Sequence, residues 1–511
     1  MITARRRATV RPPVAQKATI AAPVLGWDAK SDIAAVPPGY APKMDNWLPK
    51  SGAVEVRWGY ESHATALPGA VTSLMTYRGA TDKLFAVSVD GIYDVSSEGE
   101  VGAAEVSGLT ETHWQSWQFN GRLFAVSGED APLDYDGSSW SATAWTGPSN
   151  INRLWNGGSW KSRVFLAERD TASFWYAPVN NIQGALTELD FAPLLPIGGN
   201  ALAFGSWSRD AATTSPDELA VFVFDSGAVL VYQGTDPGNA ASWAIVGRYI
   251  LGRPLGPKCL LKTAGDLVIL TEAGYASLAR LTQVGRDDPQ VYLSDPIGPA
   301  VVTAAERHGI KDGWEAISYP RGGVTLFNIP ITGSTHEQHV LTDTGAWTRF
   351  RNIPSYCWAV HEDDLYFGGD RAVYLAAQTQ SDAGSAITAE TKSRFDAFGT
   401  PALKRFTMVR PMFASDAAIN AGLALETDFS DGQSLSAVAS SGDSGTTFNW
   451  GVSWNPPDGW PWGGIVRPRL SWQTVNGLGV VAALRVRISV TNQTVRWHGA
   501  ELYVEASSGA L

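Results

Sequence analysis

A hairpin pattern recurs along the middle of this chain: apolar residues alternate with others, a short turn containing Asp or Gly follows, and the alternation resumes. The copies lie at 84–93, 219–232, 267–281 and 365–375, with weaker ones turning near Gly128 and Asp170. Alternation on both sides of a tight turn is the strongest local signal of a β-hairpin. The turns recur roughly 40 to 55 residues apart, the repeat length of a four-stranded propeller blade. We therefore expect an all-β chain with a β-propeller at residues 63–378.

Three tryptophans follow turns at the ends of predicted outer strands: Trp140, Trp243 and Trp347. A large aromatic side chain at this position can fill the contact between neighbouring blades. Stacking on a sugar ring is the alternative use of such residues. We interpret them as structural, because a propeller with many short strands needs aromatic packing between its blades.

The N-terminal residues differ in composition from the rest of the chain. Residues 1–22 contain Arg5, Arg6 and Arg7 among Pro and Ala, without an apolar period. This composition predicts a flexible basic arm. The arm is either a solvated tail or a segment that orders on an acidic neighbouring subunit, and the sequence leaves both roles open.

Two further segments complete the predicted organisation. Residues 23–62, the lead-in segment, combine loop-forming residues with aromatics. After a polar linker near residue 380, residues 379–511 show strand alternation without the blade period. Antiparallel strands of this kind predict a C-terminal β-sandwich-like domain.

Composition restricts the class of protein. With 511 residues, 44% of them hydrophobic, the chain is too long to fold around a single hydrophobic core, so more than one domain is expected. A formal net charge of −11 argues against a body that binds nucleic acid by counterion release, although an acidic surface suits a conduit along which DNA slides. Two cysteines, Cys259 and Cys357, are too few for a disulfide framework or a Cys-based zinc site, and their apolar surroundings are typical of buried thiols.

Neither a membrane span nor a secretory signal is predicted from the sequence. No apolar run approaches the 18 or so residues that span a bilayer. Arg5, Arg6 and Arg7 are followed by Val-Arg-Pro-Pro at 10–13 rather than by the apolar region of a signal peptide. We therefore expect the protein to be made in a cytoplasm-like compartment and to leave it only as part of a particle.

The sequence predicts no enzyme and no catalytic, cofactor or metal site. His336-Glu337-Gln338-His339 resembles a zincin helix, but only one residue separates Glu337 from His339 where that motif needs two. No Gly-rich phosphate cradle and no Gly-x-Ser-x-Gly turn is present. Residues 341–347 resemble the Asp-box of sialidase-like propellers, which is a folding device and not a catalytic one.

Several stretches at the two ends of the chain carry a family resemblance. The N-terminal ones include Asn46-Trp47-Leu48-Pro49 and Arg57-Trp58-Gly59-Tyr60, and the C-terminal ones lie at 401–406, 484–486 and 497–503. Together they resemble the tail nozzle, or tail tubular B, proteins of short-tailed phages. In that family a short lead-in of the type Asn-aromatic-x-Pro … Arg-x-Gly-Tyr precedes a β-propeller.

The resemblance implies a structural virion protein, assembled in the bacterial host cytoplasm and located in the phage tail. It implies a homo-hexameric ring that contacts adaptor or connector proteins and other tail proteins, and through which double-stranded DNA passes during ejection. The interface residues that we predict are Trp27, Tyr40, Trp47, Trp58, Arg5, Arg6 and Arg7. The alternative role of the four aromatics is to close the core.

Two other functions stay open at this point. A lectin-like binding module would use exposed tryptophans such as Trp114, Trp117, Trp155 and Trp160 to stack on sugars. A glycosidase of a tail fibre or spike would need carboxylates assembled at the propeller centre, and no spacing in the sequence assembles them.

Overall fold

Residues 15–208, 218–263, 265–284, 289–331, 336–437 and 467–506 are described by the structure, a computed structural model. Two units make up the chain. The propeller unit comprises residues 58–384. The terminal unit combines the residues up to Arg57 with those from Ser385 onward. The two ends of the chain therefore fold together.

Residues 15–57, the described N-terminal part of the terminal unit, form six strands: β1 (Ala15–Ala21), β2 (Gly26–Trp27), β3 (Tyr40–Ala41), β4 (Lys43–Asp45), β5 (Trp47–Lys50) and β6 (Ala53–Val56). The structure departs here from the flexible arm expected over residues 1–22, because residues 15–21 are a paired strand. Arg5, Arg6 and Arg7 lie outside the described residues.

The propeller unit begins with β7 (Tyr60–Thr65) and continues with four four-stranded blades. Blade 1 contains β8 (Val71–Tyr77), β9 (Lys83–Ser88), β10 (Gly91–Asp94) and, after β11 (Gly99–Glu100), β12 (Val106–Ser107). Blade 2 contains β13 (Gln115–Phe119), β14 (Arg122–Val126), β15 (Leu133–Tyr135) and β16 (Trp140–Ala142), and is followed by β17 (Trp145–Thr146). Blade 3 contains β18 (Leu154–Trp160), β19 (Arg163–Glu168), β20 (Ser173–Tyr176) and, after β21 (Gly184–Ala185), β22 (Thr187–Asp190). Blade 4 contains β23 (Ala201–Ser208), β24 (Glu218–Phe224), β25 (Ala228–Gly234) and β26 (Trp243–Ile250).

Blade 5 has three strands and a helical insertion: β27 (Leu260–Thr263), β28 (Asp266–Thr271), β29 (Gly274–Ser277), α1 (Leu278–Val284) and α2 (Gly298–His308). Blade 6 contains β30 (Glu315–Tyr319), β31 (Val324–Ile329), β32 (Glu337–Thr342) and β33 (Trp347–Arg351). Blade 7 contains β34 (Cys357–His361), β35 (Asp364–Gly368) and β36 (Val373–Ala376), and its fourth strand is β7. Short 3-10 helices lie at Ile151–Arg153, Ala192–Leu194, Pro289–Val291, Asp295–Ile297 and Pro320–Gly322.

The seven blades close into a ring. The first strand of each blade contacts the first strand of the next, and β34 of blade 7 contacts β8 of blade 1. Blade 7 is completed by the N-terminal strand of the unit, since β7 pairs with β36, Tyr60 opposite Ala376. The first strand of the unit thus completes the last blade and closes the ring. The predicted propeller fold is confirmed.

The predicted hairpins are confirmed, with one correction. The copies at 84–93, 219–232 and 365–375 are the hairpins β9–β10, β24–β25 and β35–β36. In blade 5 the strand ends at Ser277, and Leu278–Val284 forms α1 instead of continuing to Leu281. Leu278 and Leu281 are both buried, and their spacing of three residues fits a helix face.

The predicted role of the tryptophans after the turns is also confirmed. Trp140 of blade 2 lies 5.1 Å, between ring centroids, from Phe85 of blade 1. Trp243 of blade 4 lies 5.3 Å from Trp160 of blade 3. Trp347 of blade 6 lies 6.0 Å from Tyr275 of blade 5, and its Nε1 donates to the carbonyl oxygen of Leu293 (3.1 Å). Each tryptophan thus packs against the preceding blade.

The described residues of the C-terminal part of the terminal unit form eight strands: β37 (Ile387–Lys392), β38 (Lys404–Ser415), β39 (Asn420–Thr427), β40 (Ser436–Ala437), β41 (Arg467–Leu470), β42 (Gln473–Gly479), β43 (Ala482–Val490) and β44 (Val495–Ala506). One sheet of this unit runs in the order β4–β37–β43–β39–β40. The other, the terminal sheet, is centred on the long pair β38–β44. On the side of β38 away from β44, β42 pairs with its first half and β41 with its last residues. On the side of β44 away from β38, the hairpin β5–β6 pairs near its start and β1 along the residues that follow.

Both sheets of the terminal unit have an apolar face, as the predicted β-sandwich requires. In the terminal sheet the buried residues alternate along the strands, for example Leu502 and Val504 in β44. Among the described residues, none of the helices has the length and apolar character that crossing a membrane requires.

Candidate assembly surface

The aromatics of the lead-in segment lie largely in the core. Trp47 is fully buried, and its ring centroid lies 6.4 Å from that of Trp497 in β44. A ring without exposed surface cannot bind a neighbour, so the interface prediction does not hold for Trp47 in this fold. Tyr40 is half-buried.

Trp58 and Trp27 are packing residues as well. The ring of Trp58 meets Phe350 edge-on, with 5.4 Å between centroids. Trp27 is buried, and its Nε1 donates to the carbonyl oxygen of Pro42 (3.2 Å). These two side chains therefore pack in the core, which is the alternative role that the sequence left open.

Polar residues of the lead-in segment form a buried contact that sequence reasoning missed. Asn46 has a left-handed backbone, with φ of 59°, and its Nδ2 donates to the carbonyl oxygen of Thr388 (2.8 Å). Its Oδ1 accepts from Nε of the fully buried Arg57 (2.9 Å). Asn tolerates the left-handed region better than most residues, which was the available signal. The contact fixes the lead-in segment against β37.

A cluster of one carboxylate and three cations crosses the sheet β4–β37–β43. Glu390 in β37 accepts from Lys43 Nζ (2.7 Å), from Arg485 Nε (2.7 Å) and from Arg487 Nε (2.8 Å). Burial alone would raise the pKa of Glu390, but these three cations hold it at about 2. A carboxylate with three cationic partners specifies which strands lie side by side.

Strand β1 is held on the terminal sheet by pairing and by charge. All seven of its residues pair antiparallel with β44, from Ala15 opposite Glu505 to Ala21 opposite Gly499. Lys17 forms an ion pair with Glu501 of β44, which also binds Arg410 of β38. The hydrogen bond from Lys17, followed by that from Arg410, lowers the pKa of Glu501. Charge therefore links three adjacent strands.

The same face of the terminal sheet carries aromatic rings. Trp472, which directly precedes β42, stacks on Tyr503 of β44 with 4.6 Å between centroids. The guanidinium of Arg410 lies 5.1 Å from the centroid of Trp472. These contacts give the sheet a rigid outward surface.

Strand β1 is an open edge of this sheet. In the part of the chain that the structure describes, it pairs with β44 on one side and with no strand on the other. Its residues are exposed except for Ala18, which is half-buried, and Ile20, which is buried. A row of unpaired backbone groups on a rigid sheet is a template for pairing with another chain. We therefore treat the edges of the terminal sheet as the candidate assembly surface.

The tryptophans named for sugar stacking are mostly engaged within the propeller. Trp114 and Trp160 are buried. Trp117 stacks on Trp145 with 6.5 Å between centroids and 5° between planes. Trp155 lies under the guanidinium of Arg169 at 5.6 Å. None of these arrangements leaves an aromatic pair that is free to clamp a sugar ring.

The histidines of the zincin-like stretch belong to strand packing. Glu337 and His339 are in β32, and the ring of His336 contacts Tyr356 edge-on. Nδ1 of His339 lies 3.0 Å from the hydroxyl oxygen of Tyr275. Within the described ranges, no group of three or more His, Cys, Asp or Glu side chains is placed to hold a metal ion.

Two surface cavities have volumes of about 240 and 250 Å³. The first is lined by Tyr319, Arg321 and Asp363, and the second by Leu194, Leu230 and Arg248 among others. Both are smaller than the roughly 300 to 1,000 Å³ typical of small-molecule sites. They do not add a ligand site to the assembly surface.

Comparison with known proteins adds no family. No family model and no curated protein matches this chain. Solved structures that resemble it include two of the extracellular domain of one B. thetaiotaomicron protein, which is described in one case as a putative one-component system and in the other as a putative hybrid two-component system. Each is 10% identical, with TM-scores of 0.40 and 0.42. Raptor from Chaetomium thermophilum is 14% identical with a TM-score of 0.41. The matches cover 68%, 62% and 63% of this chain but only 42%, 39% and 29% of those proteins.

Proposed function

We propose that this protein is a structural subunit of a homo-oligomeric ring in a phage tail, of the nozzle or tail tubular type, through which double-stranded DNA leaves the particle. The ring is expected to be hexameric, as in the family that the two ends of the sequence resemble. The protein acts by shape and assembly, without a catalytic step.

The observation that carries this proposal is the open edge of β1. Both ends of the chain are built into one rigid sheet, and the strand at its edge presents unpaired backbone groups. The residues that precede this strand include Arg5, Arg6, Arg7 and Arg11 and no acid. An edge strand continuous with a basic segment is suited to join a neighbouring acidic subunit.

The charge of the chain supports the same function. Of its 39 Lys and Arg residues, four lie in residues 1–14, so the remainder has 35 bases against 50 acids, a net charge of −15. Such a body attracts the basic segment of a neighbour and repels passing DNA. We expect the lumen of the ring to be net negative, because each base facing a phosphate would retain the DNA.

The lectin-like and glycosidase alternatives receive less support. Trp114 and Trp160 are buried, and the other two tryptophans that were named for stacking contact neighbouring side chains. Glycan binding that quenches tryptophan fluorescence, or hydrolysis of a model glycoside, would favour these alternatives.

Cryo-electron microscopy of particles from a producing host tests the proposal. We expect a six-fold ring of propellers in the tail, below the portal and adaptor, with this chain fitted to the density. If the chain is absent from particles and a purified sample is monomeric by native mass spectrometry, the proposal is wrong.

A further inference from the structure

The terminal sheet has a second open edge, opposite to β1. Strand β42 pairs with β38, and among the described residues no strand lies on its other side. β42 and β1 have the same length, seven residues. Two free edges of equal length on one sheet allow copies of the sheet to be joined.

The two edges lie at the same level of the sheet. Residues 15–18 of β1 pair with Glu505–Leu502 of β44, and residues 504–502 of β44 pair with Phe406–Val409 of β38. Residues 404–409 of β38 pair in turn with Gly479–Gln473 of β42. The strands β1, β44, β38 and β42 are therefore side by side at the level of residues 15–18 of β1 and 473–478 of β42, and the rest of β1 extends beyond β42.

The strand directions favour joining edge to opposite edge. All three pairings are antiparallel, so β1 and β42 run in opposite directions. A second copy displaced along the sheet, without being turned over, then presents its β1 antiparallel to β42 of the first. Pairing of this kind is heterologous and leaves one edge free at each end, so that it can close into a ring.

The side chains of β42 lack the charges and the proline that protect many edge strands, although a β-bulge interrupts its pairing with β38 between Gly477 and Thr474. The strand has no charged residue and no proline, and its Leu478 is 62% exposed. Natural edge strands are usually blunted by charges, proline or bulges, because an uncharged edge pairs with other chains. The uncharged edge of β42 is therefore suited to stable pairing with a strand of another chain.

Charge gives the joint its polarity. In an antiparallel joint the start of β1, which follows the Arg-rich residues, lies beside the end of β42. Asp428 is at that end, since its Oδ1 accepts from the N–H groups of Val480 (2.7 Å) and Val481 (3.2 Å). Asp428 and nearby Asp431 are exposed carboxylates. The start of β1 in one copy would thus lie beside acids of the next.

We infer that β42 of one copy pairs antiparallel with β1 of the next copy, so that the terminal sheets form a continuous belt around the ring. This inference rests on the proposed function. Residues opposite each other in an antiparallel pair share a face of the sheet. The exposed Asn476, which lies at the bulge of β42, is therefore expected to come close to either Lys17 or Thr19 of the neighbour.

Disulfide cross-linking of the full-length chain tests the joint. Two double variants, Asn476→Cys with Thr19→Cys and Asn476→Cys with Lys17→Cys, cover the two registers. Within one copy these positions are three strand spacings apart, about 14 Å, which is too far for a disulfide. Both natural cysteines are buried. We expect one double variant to give a ladder of covalent multimers up to the full ring under mild oxidation.

The single variants and native mass spectrometry separate the possible failures. Covalent dimers from Thr19→Cys alone would mean that β1 pairs with β1, and would overturn the inference. Intact oligomers without a ladder from either double variant would also overturn it, while leaving the proposed function standing. A chain that is monomeric in native spectra and absent from particles would overturn both.

Two charged substitutions at Leu478 test the joint independently of the cysteine variants. Leu478 lies opposite Arg405 of its own copy, so both variants are made in a chain that carries Arg405→Met. There Leu478→Lys places a cation near Lys17 of the neighbour, whereas Leu478→Glu places an anion. Like charges across a strand pair are destabilising. We expect Leu478→Lys to weaken association roughly two- to fivefold per interface relative to Leu478→Glu. Equal association of the two variants would contradict the joint.

Discussion

The buried guanidinium of Arg57 donates to the side-chain oxygen of Asn46, whose amide reaches the backbone of β37 at Thr388. The two residues occupy the Asn-Trp-Leu-Pro and Arg-Trp-Gly-Tyr stretches on which the resemblance to tail nozzle proteins rests. In this chain the Asn and the Arg of those stretches form a buried polar contact beside the packed aromatics. The contact holds the part of the lead-in segment that ends at Arg57 within the terminal unit.

Removing the cation of this contact is expected to destabilise the terminal unit. Arg57→Met leaves buried acceptors, including Asn46 Oδ1, without their donor and should lower the free energy of unfolding by roughly 2 to 4 kcal/mol. Urea unfolding followed by tryptophan fluorescence measures the effect. The control is Arg405→Met at an exposed position of β38. Equal losses in the two variants would contradict a special role for Arg57.

The stability of the terminal unit should depend on the charge of Glu390. Because cations hold the folded-state pKa at about 2, below the ordinary 4.5, the unfolded chain binds the proton first as the pH falls. The stabilisation, roughly 3 kcal/mol, is complete above the ordinary pKa and is lost as the pH falls toward 2.

Glu390→Gln removes this linkage. We expect the variant to unfold more easily than the parent at about pH 7, and the difference to shrink by about pH 3. Denaturant unfolding at the two pH values measures it, with Glu98→Gln, at an exposed position of the propeller unit, as the control. A difference between Glu390→Gln and the parent that does not change with pH would count against the ion cluster.

Trp347 should contribute to the contact between blades 5 and 6 mainly through its ring. Trp347→Ala removes a buried side chain that packs on Tyr275 and should cost roughly 3 to 5 kcal/mol. Trp347→Phe keeps most of the ring but loses the hydrogen bond to Leu293, which is worth about 1 kcal/mol. Thermal unfolding of the two variants separates packing from hydrogen bonding, and equal losses would refute the packing role.

Two N-terminal deletions should separate assembly from folding. Deleting residues 2–14 removes the Arg-rich residues and leaves β1, so the chain should fold but associate more weakly in a salt-dependent manner. Deleting residues 2–21 also removes the edge strand and should abolish the ring. Native mass spectrometry at low and high salt measures both. Unchanged assembly after the longer deletion would exclude a docking role for the N-terminus.

The two cysteines should be inert in the folded protein. Burial raises the pKa of Cys259 to about 12 and that of Cys357 further still. Thiolate is the reactive form, so neither thiol should react with iodoacetamide until the propeller unit unfolds. Mass spectrometry after labelling with and without denaturant tests this expectation. Rapid labelling of the native chain would show that its blades open.

The local part of the fold was predictable because its signals lie within a few residues. The turn at Asp90-Gly91 and the alternation on both sides of it define the hairpin β9–β10. The sequence pattern predicts a strand where α1 lies, because Leu278 and Leu281 fit the end of a strand as well as a helix face. Period alone does not separate the two in so short a stretch.

The long-range pairings were not predictable from the same signals. β7 is a largely polar strand, and only its partner β36, more than 300 residues away, gives it a place in blade 7. β1 has alanines and a single lysine, a composition that also suits a disordered arm. The Asn46–Arg57 contact was hidden for a similar reason, because polar residues in a loop-like stretch are usually solvated.

The pairing of the first strand with the last has a consequence for the synthesis of this chain. β7 is translated early but cannot complete blade 7 until β36 has left the ribosome, and β1 finds its place only when β44 does. A chain that ends before β36 can form neither pairing, and one that ends between β36 and β44 completes blade 7 but leaves β1 unpaired. If copies join as we propose, we expect such truncated chains to be left out of the assembly, because the β1 edge is not formed in them.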